Sequence, residues 1–108
     1  MENRYADVFV EWDDSKNRMN IKKHGISFDS AALVFSDLNR LEFYDEWHSV
    51  IEDRYITIGV VEEVLFVVYT YRNERIRLIS ARIATEGERR LYYGSYQKEN
   101  KPRNDAYR

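Results

Sequence analysis

The chain predicts an α+β fold: a small antiparallel β-sheet with an N-terminal helix pair and a C-terminal helix, in the order β-α-α-β-β-β-β-α. Three observations predict it. Segments 54–60 (RYITIGV), 64–71 (VLFVVYTY) and 75–83 (RIRLISARI) are rich in β-branched and aromatic residues, with three-residue connections between them, as in consecutive antiparallel strands. Residues 13–35 instead carry helix caps and helical spacing. A T-x-x-E capping box at Thr85 and Glu88 follows the last strand and opens a terminal helix. Strands grouped together between helices, without βαβ alternation, make an α+β domain. The helices are expected on one face of the sheet, leaving the other open to a ligand.

Each element has a local reason. In DVFVEW, Val8, Val10 and Trp12 alternate with Phe9 and Glu11, the period of a strand. Asp13 is an N-cap, and a helix runs from about Asp14 to Lys23. Gly25 suits the left-handed position past its end, with Ile26 as the apolar contact. Ser27 caps a second helix whose Phe28, Ala31, Ala32 and Phe35 repeat at i, i+3, i+4 and i+7, a core-facing stripe. RLEFYD (40–45) reads as a short strand and 46–53 as an acidic connection. The nearly apolar 64–71 reads as a central strand covered on both faces. The last helix spans about Glu86 to Tyr96. Residues 1–96 are expected to form a single domain, and the polar segment 97–108 a flexible tail.

Composition narrows the function classes. The 108 residues include no Cys, which removes disulfides and zinc–thiolate sites and fits a reducing compartment. No apolar run approaches the ~20 residues of a membrane helix. The opening MENRYADVF lacks the apolar core of a secretory leader, so a cytoplasmic location is expected. The net charge of −2 hides an asymmetry: residues 1–71 carry a net −7 and residues 72–108 a net +5. A basic last third can face a polyanion, or be ordinary solvated surface.

Several residues are candidates for chemistry. Lys16, Asn20, Lys23 and His24 fall on one side of the first helix, beside Trp12 and Met19. That stripe reads either as a solvated face answering the helix dipole or as the edge of an anion site. His48 lies in the loop before the strand opened by Arg54, and imidazole titrates near neutrality. Glu52 is close in sequence to both. In 75–83, strict alternation groups Ile76, Leu78, Ser80 and Arg82 on one face, and Arg75, Arg77, Ile79, Ala81 and Ile83 on the other. Arg82 then stands at the rim of the core, to pair with a carboxylate such as Glu52 or to take a phosphate. Arg89 and Arg90 extend the basic character. Tyr69 and Tyr71 on the neighbouring strand could stack a base.

No P-loop, dinucleotide fingerprint, H-E-x-x-H or G-x-S-x-G pattern occurs, and the two histidines lie 24 residues apart, so neither a metal nor a cofactor is expected. The remaining His, Lys, Arg and Tyr suit metal-free RNA cleavage. There a base takes the 2′-OH proton, cations hold the charge on phosphorus and an acid protonates the leaving 5′-oxygen.

Three ordered blocks resemble the BrnT-type ribonuclease toxins of bacterial type II toxin–antitoxin pairs. The first holds Glu11, Trp12, Asp13, Lys16, Asn20, Lys23, His24, Gly25, Ile26, Ser27 and Phe28. The second holds His48, Ser49, Glu52, Arg54, Tyr55 and Gly59, and the third runs from Arg75 to Arg89. The resemblance implies a RelE-like fold, metal-independent endoribonuclease activity that inhibits translation, and no cofactor. It implies a ribbon-helix-helix antitoxin as partner, often in a 2:2 complex that reaches operator DNA only through the antitoxin. Beside it, the residues suggest His48, Arg54, Arg77, Arg82 and Glu52 as catalytic, and Lys16, Lys23, His24, Tyr69 and Arg89 as substrate-binding. The alternative is a module without turnover that binds an antitoxin or nucleic acid.

Overall fold

The computed structural model describes residues 2–5 and 8–100, with side chains described for residues 8–94. Strands β1 (Glu2–Tyr5) and β2 (Val8–Glu11) lead into α1 (Asp14–His24) and α2 (Phe28–Ala31), which tightens into a 3-10 turn over Ala32–Ser36. Strand β3 (Leu41–Tyr44) and a 3-10 turn at Glu46–His48 precede β4 (Tyr55–Val61), β5 (Glu63–Arg72) and β6 (Arg75–Ile83), and α3 (Glu86–Asn100) closes the described chain. The sheet order is β1-β2-β6-β5-β4-β3.

The predicted caps are present. Asp13 accepts the Ser15 N–H, Ser27 accepts the Ser30 N–H, and Gly25 takes φ 74° with its N–H on the Ile21 carbonyl. Thr85 and Glu88 close the capping box in both directions, at 2.8 and 3.2 Å. The β5–β6 turn places Asn73 and Glu74 at positive φ, the backbone of a type I′ hairpin.

Four expectations are corrected. The expected order lacks β1, which pairs antiparallel with β2; its four residues carry no apolar alternation to announce a strand. The sheet is mixed, because β2 runs parallel to β6 through Val10↔Ile76 and Glu11↔Arg77. Helix α3 continues to Asn100, past the expected end near Tyr96; residues 101–108 of the expected tail lie outside the described residues. The helices also do not share one face. Helices α1 and α2 cover a cluster built on Val10, Phe28, Val34, Val67, Tyr69 and Leu78. Helix α3 crosses the other face, seating Tyr92 against Ile58, Val64 and Ala84.

Strict alternation fails in β6. Phe66 pairs with Arg82, Val68 with Ser80, and then Tyr69 with Leu78, so Ile79 stands opposite no residue of β5. This bulge shifts the side-chain period by one. Ile76, Leu78 and Ala81 are buried on the α1–α2 side. Arg77, Ser80 and Arg82 share the opposite side, which α3 covers only in part.

Candidate active site

The part of that side left open by α3 forms a cleft of about 390 Å³. Its floor is Ile56, Phe66 and Val68, contributed by β4 and β5, and its walls carry His48, Arg54 and Arg82. Arg54 precedes β4 and shares the parity of Ile56 and Ile58, so its side chain lies on this face.

The loop between β3 and β4 holds His48 by local bonds. Asp45 caps the Glu46–His48 turn, its Oδ1 accepting the His48 N–H at 3.3 Å and its Oδ2 lying 2.8 Å from His48 Nδ1. A carboxylate only accepts, so Nδ1–H is the donor, and neutral His48 carries its lone pair on Nε2. Asp45 is largely buried, whereas the His48 side chain is 69% exposed. Ser49 ties the neck of the loop, donating to the Asp45 carbonyl at 2.6 Å and accepting the Arg54 N–H at 2.8 Å. Trp47 flanks the cleft and is 89% exposed.

Arg82 is held in place by Glu88. Two bonds of 2.9 and 3.0 Å make a bidentate pair, a third reaches the Ile83 carbonyl at 3.2 Å, and the guanidinium lies 4.0 Å over the Phe66 ring. Arginine has five N–H donors, so two remain for a ligand. Hydrogen bonds from Arg82 hold the Glu88 carboxyl below its ordinary 4.5, with the Thr85 amide helping and burial opposing. The Arg54 guanidinium has no carboxylate partner among the described residues.

The structure brings His48, Arg54 and Arg82 together and separates the other catalytic candidates from them. Glu52 binds Arg72 at 3.3 Å and neither Arg54 nor Arg82. Arg77 lies further along the same face, paired with Glu11 at 2.9 Å. Tyr69 cannot stack a base. It is 1% exposed among the α1–α2 core, with its hydroxyl on Glu42 at 3.1 Å, and burial there pushes its phenol upward. Arg89 lies on α3 against the Tyr93 ring, outside the cleft. Lys16, Lys23 and His24 line a separate hollow that meets the cleft at Ile79 and Ser80.

Sequence reasoning passed over Asp45, Trp47 and Ser80, which also line the cleft. The spacing D-x-x-H at 45–48 is a turn cap that could have singled out Asp45. Asn20 has a structural role: Nδ2 donates to the carbonyls of Ala81 (2.8 Å) and Ile26 (2.9 Å), and Oδ1 accepts the Ala81 N–H at 3.0 Å. It docks α1 on the edge of β6, beyond the two residue pairs joining β6 to β2.

A carboxylate-held imidazole and two arginines line one cleft over an apolar floor, side chains whose chemistry suits a phosphate group. Comparison with known proteins gives the family. The model for the ribonuclease toxin BrnT of type II toxin–antitoxin systems matches residues 12–88. The chain therefore belongs to the BrnT ribonuclease toxin family, whose members act opposite an antitoxin. Among solved structures, the ribonuclease toxin BrnT of Brucella abortus is similar at 28% identity, with a TM-score of 0.58 over 71% of this chain and 96% of that one. No curated protein sequence matches. Among the described residues, no helix is long and apolar enough to cross a membrane.

Proposed function

We propose that this chain is an endoribonuclease that cuts RNA without a metal, by transferring the phosphodiester to the neighbouring ribose oxygen. The observation that carries the reading is His48, fixed through Nδ1 by Asp45, in one cleft with Arg54 and Arg82. His48 Nε2 takes the proton of the 2′-OH as that oxygen attacks phosphorus. The P–O5′ bond breaks, leaving a 2′,3′-cyclic phosphate and a 5′-OH, and the leaving oxygen receives a proton from imidazolium or water. Arg54 and the two free donors of Arg82 face the oxygens where charge grows, usually the largest source of rate enhancement. Trp47 offers an exposed ring for a base.

The partner in this reading is a ribbon-helix-helix antitoxin in a 2:2 complex that binds operator DNA through the antitoxin, and the pair acts in the cytoplasm. Family membership supports an antitoxin. The meander β4–β6 closed by α3 supports a RelE-like architecture.

The test is cleavage of a single-stranded RNA by purified protein in excess EDTA. Activity is expected to persist, with 2′,3′-cyclic phosphate ends. His48→Ala is expected to lower kcat by about 10²–10⁴, and Asp45→Asn to lower it with the fold unchanged, because an amide has one acceptor oxygen where the His48 N–H and Nδ1–H use two. Loss of activity in EDTA, or indifference to these substitutions, rejects the reading. A second reading, binding without turnover, draws on the ion pairs Arg77–Glu11 and Arg82–Glu88; RNA bound but uncut would favour it.

A further inference from the structure

The hollow between α1 and β6, about 680 Å³, is larger than the cleft beside it, and it is lined by Lys16, Lys22, Lys23 and His24 with Met19 and Ile79. Its construction is specific. The β2–β6 pairing ends at Arg77, and Asn20 fastens α1 against the β6 backbone at Ala81. The bulge leaves Ile79 unpaired, and Ile79 with Ser80 forms the border shared with the His48 cleft. No carboxylate pairs with Lys16, Lys22 or Lys23 among the described residues. Three ammonium groups around a hollow with apolar Met19 and Ile79 provide charge for a backbone and surface for a base.

We infer that this hollow is a second RNA subsite, holding the phosphates and base of the nucleotides next to the scissile bond in a single strand. The inference rests on the ribonuclease reading of the His48 cleft and adds what that cleft lacks, a grip on substrate beyond one phosphodiester. Charge complementarity and the shared Ile79–Ser80 border select this occupant. Lys16 and Lys23 bind substrate and take no part in proton transfer.

Two measurements test it. The first is affinity for a fluorescent 12-nucleotide single-stranded RNA with 2′-O-methyl groups, which the proposed chemistry cannot cut, across a salt series. Removing two phosphate contacts with Lys16→Gln plus Lys23→Gln is expected to lower the slope of log K against log salt by about 1.4, at roughly 0.7 per contact. Arg18→Gln, which removes a cation of α1 outside the hollow, is expected to leave the slope and affinity unchanged. The second is turnover. The double variant is expected to raise KM for an unmodified 12-mer about tenfold while keeping kcat. An unchanged slope, equal effects of Arg18→Gln, or no binding of the 12-mer by wild-type protein overturns the subsite. Binding that depends on Lys16 and Lys23 without any cleavage keeps the subsite and rejects the ribonuclease reading.

Discussion

Two side chains of this protein take their roles from bonds that leave one end free. His48 gives its Nδ1 proton to Asp45 and keeps Nε2 for the cleft; Arg82 gives three donors to Glu88 and Ile83 and keeps two. Asn20 is the contrasting case, with its amide spent inside the fold. Replacing Asn20 by Ala strands the N–H and C=O of Ala81, and an unsatisfied buried polar group costs about 1–3 kcal/mol. Asn20→Ala is therefore expected to lower stability by about 2–4 kcal/mol in urea unfolding. Asn20→Asp is expected to be no milder, since a carboxylate faces the Ala81 carbonyl. At this scale the sequence was half legible. His48 and Arg82 stood out by residue type and position. Asp45 was one acidic residue in an acidic stretch, and only the turn bond distinguishes it. Tyr69 misled because an aromatic on a strand looks alike from either face.

At the scale of elements, close approach sets the strongest constraint. A Cβ added at Gly59 would lie 2.6 Å from Val34 Cγ2, so the 3-10 turn rests directly on the β4 backbone. Gly59→Ala is expected to cost about 1–3 kcal/mol as overpacking. Adding Val34→Ala should return part of it, which a double-mutant cycle in denaturant measures. The junction of β6 and α3 carries a pH dependence. With its folded value held below 4.5, Glu88 contributes stability fully above that unfolded value, and the contribution is lost as pH falls through the folded one. Glu88→Gln is expected to lower stability at pH 7 by about 1 kcal/mol, the usual worth of a cap, and by less as pH falls below 4, read from thermal melts across that range. Caps, the hairpin turn and the meander were legible because each is a local rule. The strand β1 was not, because its residues carry no apolar alternation; the parallel β2–β6 contact and the placement of α3 on the second face were not, because they are set by long-range pairing.

Across the whole molecule, the sheet divides two tasks. One face is closed by α1, α2 and the 3-10 turn over a continuous core. The other is covered in part by α3, which packs Tyr92 on Ile58, Val64 and Ala84 and ties it to Asp37 at 2.6 Å, and beside it lies the cleft. The net +5 of residues 72–108 against the net −7 of residues 1–71 gives the chain a charge gradient suited to steering a polyanion. If the proposed reaction operates in cells, expression of the chain alone is expected to arrest bacterial growth. Co-expression of a neighbouring ribbon-helix-helix gene should restore it, and His48→Ala should be harmless, all scored by colony counts after induction. Arrest by the His48→Ala form would move the toxic action away from this cleft.

The bulge at Ile79 gives β6 a property best described as parity. Arg77 and Arg82 are separated by an odd interval, yet they emerge on the same surface, which an uninterrupted strand forbids. The surplus residue, Ile79, is what lets an odd interval hold both arginines on one surface. Loss of Ile79 would restore even counting and leave Arg77 and Arg82 on one surface and Leu78 and Ala81 on the other in a regular strand, whereas a strand that kept every residue without the bulge would turn one arginine to the wrong side. Relatives that use the same surface should therefore carry either this odd interval with a bulge or an even interval in a regular strand, and an odd spacing of cations in an otherwise regular strand becomes a sign of a bulge that can be read without any structure.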